Sequence, residues 1–307
     1  MKTRIGILGI GGVGGYFGGK LAEKYFNNPD IEIVFITREE TANIISINGL
    51  KIIEEENELT VHPTLVTSDV NEIGELDYLI CSTKTYDIEN SLTPLKKVIS
   101  EKTIMLPLYN GVDAQPRIEA LFPNNTVLNG CVYIVAFKKE KGVILKKGKM
   151  HHLYFGSDNA DKTKLVMLQD IFLAANIKSS LLKNIETRVW SKYIFISSIA
   201  SLTSYTDLTI GQIFESEEHT KTLESLIDEG IALAKAKNIE LPENLKEKTL
   251  SQMRKQLYDT TTSMQRDFRA GGKTEVESLT GYIVKESEKH GLDSINFLML
   301  YEALTQP

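Results

Sequence analysis

The stretch Arg4-Ile5-Gly6-Ile7-Leu8-Gly9-Ile10-Gly11-Gly12-Val13-Gly14-Gly15 governs the reading of the amino-terminal half. The apolar run at 4–8 has strand character, and the residues from Gly12 onward repeat with helical spacing. Between them lies Gly9-x-Gly11-x-x-Gly14, in the strand–turn–helix setting that gives this spacing meaning. Gly9 permits a tight turn, Gly11 lets backbone approach a pyrophosphate, and Gly14 lets helix and strand pack closely. The helix start at Gly12 and Val13 favours an anion. The alternative is a glycine-rich turn with a structural role only.

Working outward, apolar runs at 31–36, 77–81, 103–107 and 126–132 alternate with helical patterns at 12–26, 88–99 and 113–121. Strands alternating with helices predict right-handed βαβ units on a parallel, doubly wound sheet. The lysine-rich alternation at 143–156, with His151-His152, reads as extra antiparallel strands at the sheet edge, and 164–176 as a covering helix. Glycine and proline thin out after Gly156, and from Asn184 the periods become helical, as in Leu223, Leu226, Ile227, Ile231 and Ala234. Pro242 suits the first turn of a helix, 274–290 reads as another, and Asp293 or Ser294 can cap a last one. The expected domains are 1–183, α/β, and 184–307, all-α.

The 307 residues carry 35 Lys plus Arg against 41 Asp plus Glu, a net charge of -6, which argues against general nucleic-acid binding. Two cysteines, Cys81 and Cys131, make a disulfide framework or a cysteine-rich zinc site unexpected. No apolar run approaches membrane-span length and no signal-peptide pattern opens the chain, so a cytoplasmic protein without a membrane partner is expected.

The end of the second strand selects the cofactor. It reads Phe35-Ile36-Thr37-Arg38, where an NAD site usually places an acid. A guanidinium at Arg38 suits a 2′-phosphate, so NADP(H) is expected over NAD(H). Glu39-Glu40 would face the ribose if the strand ran one residue further, and Arg38 can equally be a surface arginine.

Nicotinamide chemistry needs a proton source and a stabiliser of developing oxyanion charge. The five histidines form neither a metal pair nor a triad, and no metal is expected. Lys192 lies in Val189-Trp190-Ser191-Lys192-Tyr193-Ile194, at the edge of an apolar helix, where a lysine must snorkel, pair or meet a ligand. Glu275 starts a helix and can simply complement its dipole. Ser263-Met264 can cap a helix. Asn110-Gly111 and Lys84 follow strands at the carboxyl edge of the sheet, where open sheets bind ligands or merely turn.

These residues together resemble the ketopantoate reductase (2-dehydropantoate 2-reductase) family nearly end to end. The likeness rests on the glycine loop, Arg38, Lys84 in Ser82-Thr83-Lys84, Asn110-Gly111, Trp190-Ser191-Lys192, and Ser263-Met264 twelve residues before Glu275. The resemblance implies a Rossmann-type domain followed by an all-α domain, with the active site in the cleft. It implies NADPH-dependent reduction of a 2-keto acid, ketopantoate foremost, and a place in pantothenate biosynthesis. By the same analogy Lys192 donates the proton, and Glu275 orients the substrate hydroxyl and supports the lysine. Ser263 binds the carboxylate, Asn110 contacts Lys192 or the substrate beside the nicotinamide, and Lys84 lies near the cofactor. A second cation near Lys192 would make it a better acid.

The chain departs from the family pattern at Ile196, Ala200 and Thr260, where asparagines are usual, and at Arg266, where glutamine is. Lost amide donors change discrimination more than a methylene does. Two further readings therefore stand: a related NADP-dependent reductase of another 2-keto acid, and a non-catalytic NADP-binding or redox-sensing protein. Ser197, Ser198 or Ser201 would restore a polar contact on a rotated helix. The helical half could also form a homodimer face.

Overall fold

The computed structural model describes residues 2–157 and 159–306. The chain divides into two compact units: Met1–Tyr109 with Ala114–Ile185, and Asn110–Asp113 with Glu186–Pro307.

The first unit opens with β1 (Thr3–Leu8), α1 (Gly12–Lys24), β2 (Ile31–Ile36), α2 (Glu39–Asn48), β3 (Leu50–Glu54), β4 (Asn57–Val61), β5 (Leu65–Thr67) and α3 (Val70–Ile73). It continues with β6 (Tyr78–Cys81), α4 (Ile88–Leu92), β7 (Ile104–Pro107), α5 (Ala114–Leu121), β8 (Thr126–Val127), β9 (Asn129–Glu140), β10 (Val143–Gly156), α6 (Lys162–Ala174) and β11 (Ser179–Leu181). Six strands form a parallel sheet in the order β5-β2-β1-β6-β7-β8. Renumbered within the sheet this is 3-2-1-4-5-6, the doubly wound dinucleotide-binding order, whose direction reverses between β1 and β6. Period-two alternation gives the sheet two buried faces. Ile5, Ile7, Ile33, Phe35, Ile80 and Leu106 face one core, while Leu8, Val34, Ile36, Leu79, Cys81 and Met105 face the other.

A second sheet runs β11-β10-β3-β4, with β9 paired antiparallel to β10. The run 143–156 is therefore one long strand of a separate sheet, parallel to β3 and β11, rather than extra strands at the edge of the first. Helix α1 explains how it attaches. A Cβ on Gly12, Gly15 or Gly19 would lie 2.2 Å from the Ala136 carbonyl oxygen, 2.6 Å from Ile144 and 2.3 Å from Ile52, respectively. These positions, spaced three and four apart, make one bare helix face on which β9, β10 and β3 rest. Gly14 and Gly18 make a second face, against the Gly9 carbonyl and against Ile7 and Phe35.

Two further expectations are corrected. The stretch 88–99 is not one helix: α4 ends at Leu92, and a 3-10 turn at Thr93–Lys97 carries Pro94, which cannot donate to a continuing helix. The run 126–132 breaks into β8 of the first sheet and β9 of the second. Helix α2 and the β3–β4 hairpin add elements that the pattern reading did not contain.

The second unit contains α7 (Ile185–Thr206), α8 (Ile210–Glu215), α9 (Glu217–Ala236), α10 (Leu245–Arg254), α11 (Ser263–Arg269), a π-helical turn at Glu277–Gly281, α12 (Tyr282–Lys289) and α13 (Ile295–Thr305). The helix expected over 274–290 therefore begins after Glu275, and Pro242 lies ahead of the first turn of α10. The core packs Tyr193, Ile194 and Ile199 of α7 against Leu223, Leu226 and Ile227 of α9, with Met264, Leu279, Ile283 and Phe297. Val112, from the segment that follows β7 in the chain, packs on this core.

Candidate active site

In the first unit the loop after β1 has the form a dinucleotide phosphate cradle requires. Gly9 holds φ +91°, and a Cβ there would lie 2.8 Å from the Thr83 backbone nitrogen. A Cβ on Gly14 would lie 2.1 Å from the Gly9 carbonyl oxygen. A Cβ on Gly11 would meet nothing within 4 Å, so this backbone borders open space. Gly11 is the N-cap of α1, and no side chain caps the helix. The first amides of α1 are thus left for an incoming acceptor. Ser82, just past β6, donates from Oγ to the Leu8 carbonyl at 3.0 Å and the Gly9 carbonyl at 2.9 Å, fixing the loop to the neighbouring strand. Thr83 Oγ1 lies 3.0 Å from the Tyr109 hydroxyl, whose proton burial holds more firmly than usual.

Strand β2 ends at Ile36, and Arg38 is the N-cap of α2, so Glu39 and Glu40 fall in the helix's first turn instead of on the strand. Arg38 projects into solvent, 88% exposed, with Nη2 3.0 Å from Asp87 Oδ2. Lys84, half-buried, is the N-cap of the short 3-10 turn Thr85–Asp87, and its carbonyl accepts the Asp87 amide at 2.9 Å.

In the second unit, half-buried Lys192 donates from Nζ to Asn110 Oδ1 at 2.9 Å. Asn110 begins a short segment in which Gly111 takes φ +136°, with Asp113 Oδ1 2.9 Å from where a Cβ would sit. Asp113 Oδ2 accepts from Ser278 Oγ at 2.9 Å. Tyr193, one residue after Lys192 and turned inward, donates to the Ser278 carbonyl at 3.0 Å and the Leu279 carbonyl at 3.2 Å. The π-helical turn shifts the usual backbone pairing, and this hydroxyl serves two of its carbonyls. Burial, with Asp113, Tyr282 and Glu286 nearby, raises the Tyr193 pKa well above the ordinary phenol range and keeps it a donor.

Glu275 is 4% exposed and lies two residues before this turn, and its carbonyl accepts the Leu279 amide at 2.9 Å. Ser263 is the first residue of α11, while Thr262, not Ser263, is the cap, accepting the Gln265 amide. The Lys192 face of α7 continues through Ile196 and Ala200 to Thr203, whose Oγ1 lies 3.0 Å from Thr262 Oγ1. Ile196 is half-buried and Ala200 fully buried. The neighbouring serines point elsewhere: Ser197 donates to the Ile194 carbonyl at 3.4 Å, and Ser201 lies 2.7 Å from Thr280 Oγ1. Ser198 Oγ is buried without a hydrogen-bond partner among the described residues.

Lys192 and Asn110 are thus brought together by a direct hydrogen bond, and Glu275 adjoins the π turn that anchors Asp113. Ser263 shares no hydrogen bond with Lys192 or Asn110 in the described residues. Sequence reasoning missed Ser82, Asp87, Asp113, Tyr193 and Ser278. Only Tyr193 carried a local signal, a buried hydroxyl beside the lysine.

No group of three or more His, Cys, Asp or Glu among the described residues is placed to hold a metal, and no helix there is long and apolar enough to cross a membrane. Sheet order and glycine loop together define a dinucleotide-binding fold. The family description "Ketopantoate reductase PanE/ApbA" matches residues 5–160, and its C-terminal counterpart matches 184–307. The chain belongs to this family, which makes it a nicotinamide-dependent oxidoreductase of the 2-dehydropantoate 2-reductase type. It is 27% identical to the uncharacterized oxidoreductase YkpB of Bacillus subtilis, over 93% of this chain and 92% of that one. A crystal structure of 2-dehydropantoate 2-reductase from Porphyromonas gingivalis W83 matches with a TM-score of 0.87 at 30% identity, covering 100% of both chains. D-mandelate dehydrogenase, solved with NADH and anilino(oxo)acetate, shares the fold with a TM-score of 0.88 at 19% identity, covering 98% of this chain and 97% of that one.

Proposed function

We propose that this chain catalyses the NADPH-dependent reduction of a 2-keto acid to the 2-hydroxy acid, with 2-dehydropantoate the foremost substrate. The hydrogen bond between Lys192 Nζ and Asn110 Oδ1 is the observation that carries this reading. It directs an ammonium with an amide from the short segment 110–113, whose last residue, Asp113, accepts from Ser278.

The cradle residues fit a dinucleotide. Gly9 and Gly14 shape the turn, Gly11 leaves room for the pyrophosphate, the amides of Gly12 and Val13 open the helix toward it, and Arg38 and Lys84 supply cations. A bound nicotinamide cofactor would supply the hydride to the keto carbon. Lys192 protonates the keto oxygen as charge builds there, which is general acid catalysis. Asn110 aims the Lys192 ammonium and can reach the substrate with its amide nitrogen. Glu275, buried two residues before the π turn, orients the substrate hydroxyl and supports the lysine. Ser263 offers its hydroxyl to the carboxylate.

A second reading, a reductase of a different and more apolar 2-keto acid, is favoured by Ile196 and Ala200 on the Lys192 face of α7. Both readings are tested by following NADPH oxidation with a panel of 2-keto acids. Lys192→Ala is expected to lower kcat on the best substrate by roughly 100- to 10,000-fold, with NADPH binding retained. A wild-type rate in that variant removes Lys192 from the mechanism. Efficient turnover of 2-dehydropantoate removes the second reading. NADPH binding without turnover of any 2-keto acid would leave a cofactor-binding protein and overturn both.

A further inference from the structure

The cation expected to recognise a 2′-phosphate already has an anionic partner. Arg38 Nη2 lies 3.0 Å from Asp87 Oδ2, and the two side chains differ sharply in exposure, 88% for the arginine against 24% for the aspartate. The aspartate is the fixed member. It closes the 3-10 turn after β6, and its amide is held by the Lys84 carbonyl at 2.9 Å. It occupies the N-cap position of α4, yet its side chain makes no capping hydrogen bond. Its carboxylate is turned to Arg38 instead. The arginine is the member able to swing: its side chain is 88% exposed, and among the described residues Asp87 is its ion-pair partner. Of the two acids that follow Arg38 in sequence, Glu40 is engaged elsewhere, paired with Lys141.

We propose that Asp87 is a specificity-determining residue for the cofactor, acting as an internal competitor that holds Arg38 away from the 2′-phosphate. The inference rests on the reading that Arg38 recognises that phosphate. A guanidinium paired with Asp87 presents a neutral couple to an incoming ribose, and NADH enters against no unbalanced charge. NADPH binds fully only when the guanidinium leaves Asp87 for the phosphate, with which it makes stronger, bidentate, charge-assisted bonds. An exposed ion pair is weak, so the exchange is reversible and its cost corresponds to about a two- to fivefold change in equilibrium. Apparent affinity falls by the fraction of arginine that is free to bind. The Asp87 carboxylate, left beside a phosphate dianion, adds repulsion of the same sign. Asp87 therefore narrows the gap between the two cofactors, and Arg38 alone would widen it.

The test compares 2′,5′-ADP, which carries the 2′-phosphate, with 5′-AMP, which lacks it, by titration calorimetry. Asp87→Asn keeps shape and removes charge. It is expected to bind 2′,5′-ADP about three- to fivefold more tightly, with a smaller change for 5′-AMP. In turnover, the ratio of kcat/KM for NADPH over NADH rises by the same factor, through KM rather than kcat. In an Arg38→Ala background the Asp87→Asn effect on 2′,5′-ADP shrinks below twofold, because the competition is gone and only the solvent-screened repulsion between carboxylate and phosphate remains. Two outcomes overturn the proposal separately. If Arg38→Ala weakens 2′,5′-ADP but Asp87→Asn leaves it unchanged or weaker, Asp87 does not compete. If Arg38→Ala binds 2′,5′-ADP like the wild type, Arg38 does not read the phosphate, and the inference falls with that reading.

Discussion

The loop from Gly9 to Gly14 lies within six consecutive residues and takes its shape from backbone. The Lys192 cluster draws on Asn110–Asp113, on α7 and on the π turn near Ser278, and takes its shape from side-chain hydrogen bonds. The loop bars side chains at Gly9 and Gly14, where a Cβ has no space. The cluster consists of side chains that must each find a partner once buried. A backbone-built site is carried by a short motif, whereas a side-chain-built site exists only after folding brings distant segments together.

The comparison is open to attack at its strongest contrast first. Gly11→Ala and Gly14→Ala add the same methyl group three residues apart. Gly11→Ala is expected to leave Tm unchanged while weakening NADPH binding more than tenfold, since its Cβ enters the space left for the ligand. Gly14→Ala presses into fixed backbone and should cost about 2–3 kcal/mol, lowering Tm by roughly 5–10 °C. Equal Tm losses in differential scanning calorimetry would show that the loop does not separate folding from binding in this way.

The next effect lies in the cluster. Tyr193→Phe strips a donor from the Ser278 and Leu279 carbonyls. A buried acceptor left without its donor costs about 1–3 kcal/mol. Tm should fall by roughly 2–8 °C. The kcat should fall as well, by less than in Lys192→Ala, because Ser278 no longer holds Asp113 firmly. A drop in Tm with kcat intact would uncouple the π turn from the Asn110 segment.

The smallest effect concerns His151, on β10 beside the pair formed by buried Lys146 Nζ and half-buried Glu54 Oε1, 2.5 Å apart. Burial first, then the Lys146 charge, lowers the His151 pKa from its ordinary value of 6.5. Below about pH 6.5 the unfolded chain takes up a proton that the folded chain resists. This contribution to stability is present at neutral pH and declines on acidification. From about pH 7.5 to about pH 5.5 the wild type should lose more Tm than His151→Gln does. Parallel declines would remove His151 from the balance.

The parallel sheet and the loop were legible because β6 and β7 are continuous apolar runs and β1 and β2 end in apolar, fully buried ones, as strands buried on both faces must. The second sheet was not. Its strand β10 opens Val143-Ile144-Leu145-Lys146-Lys147, and Lys146 reads as a solvent residue although it is 1% exposed. Its charge is met by Glu54, and its Nζ lies 5.9 Å from the Tyr16 ring centroid, partners that come from β3 and α1. Helix α2 hid for a different reason: only Thr41, Ala42 and Ile45 of its ten residues are buried, too few to set a period. One signal of the second sheet was present and unused. The loop motif needs Gly9, Gly11 and Gly14, but the segment also holds Gly12, Gly15 and Gly19, and their three-and-four spacing marks a helix face kept bare for a neighbour. In the helical unit Lys192 was readable, whereas Asp113 and Ser278, 165 residues apart, carry no local pattern.

The two bare faces of α1 also fix its azimuth. With Gly14 and Gly18 against one sheet and Gly12, Gly15 and Gly19 against the other, a roll of one residue, about 100°, would drive side chains into both layers. The helix is wedged like a key between two plates. Its leading N–H groups therefore point in one direction before any dinucleotide arrives, and no binding energy is spent on turning them.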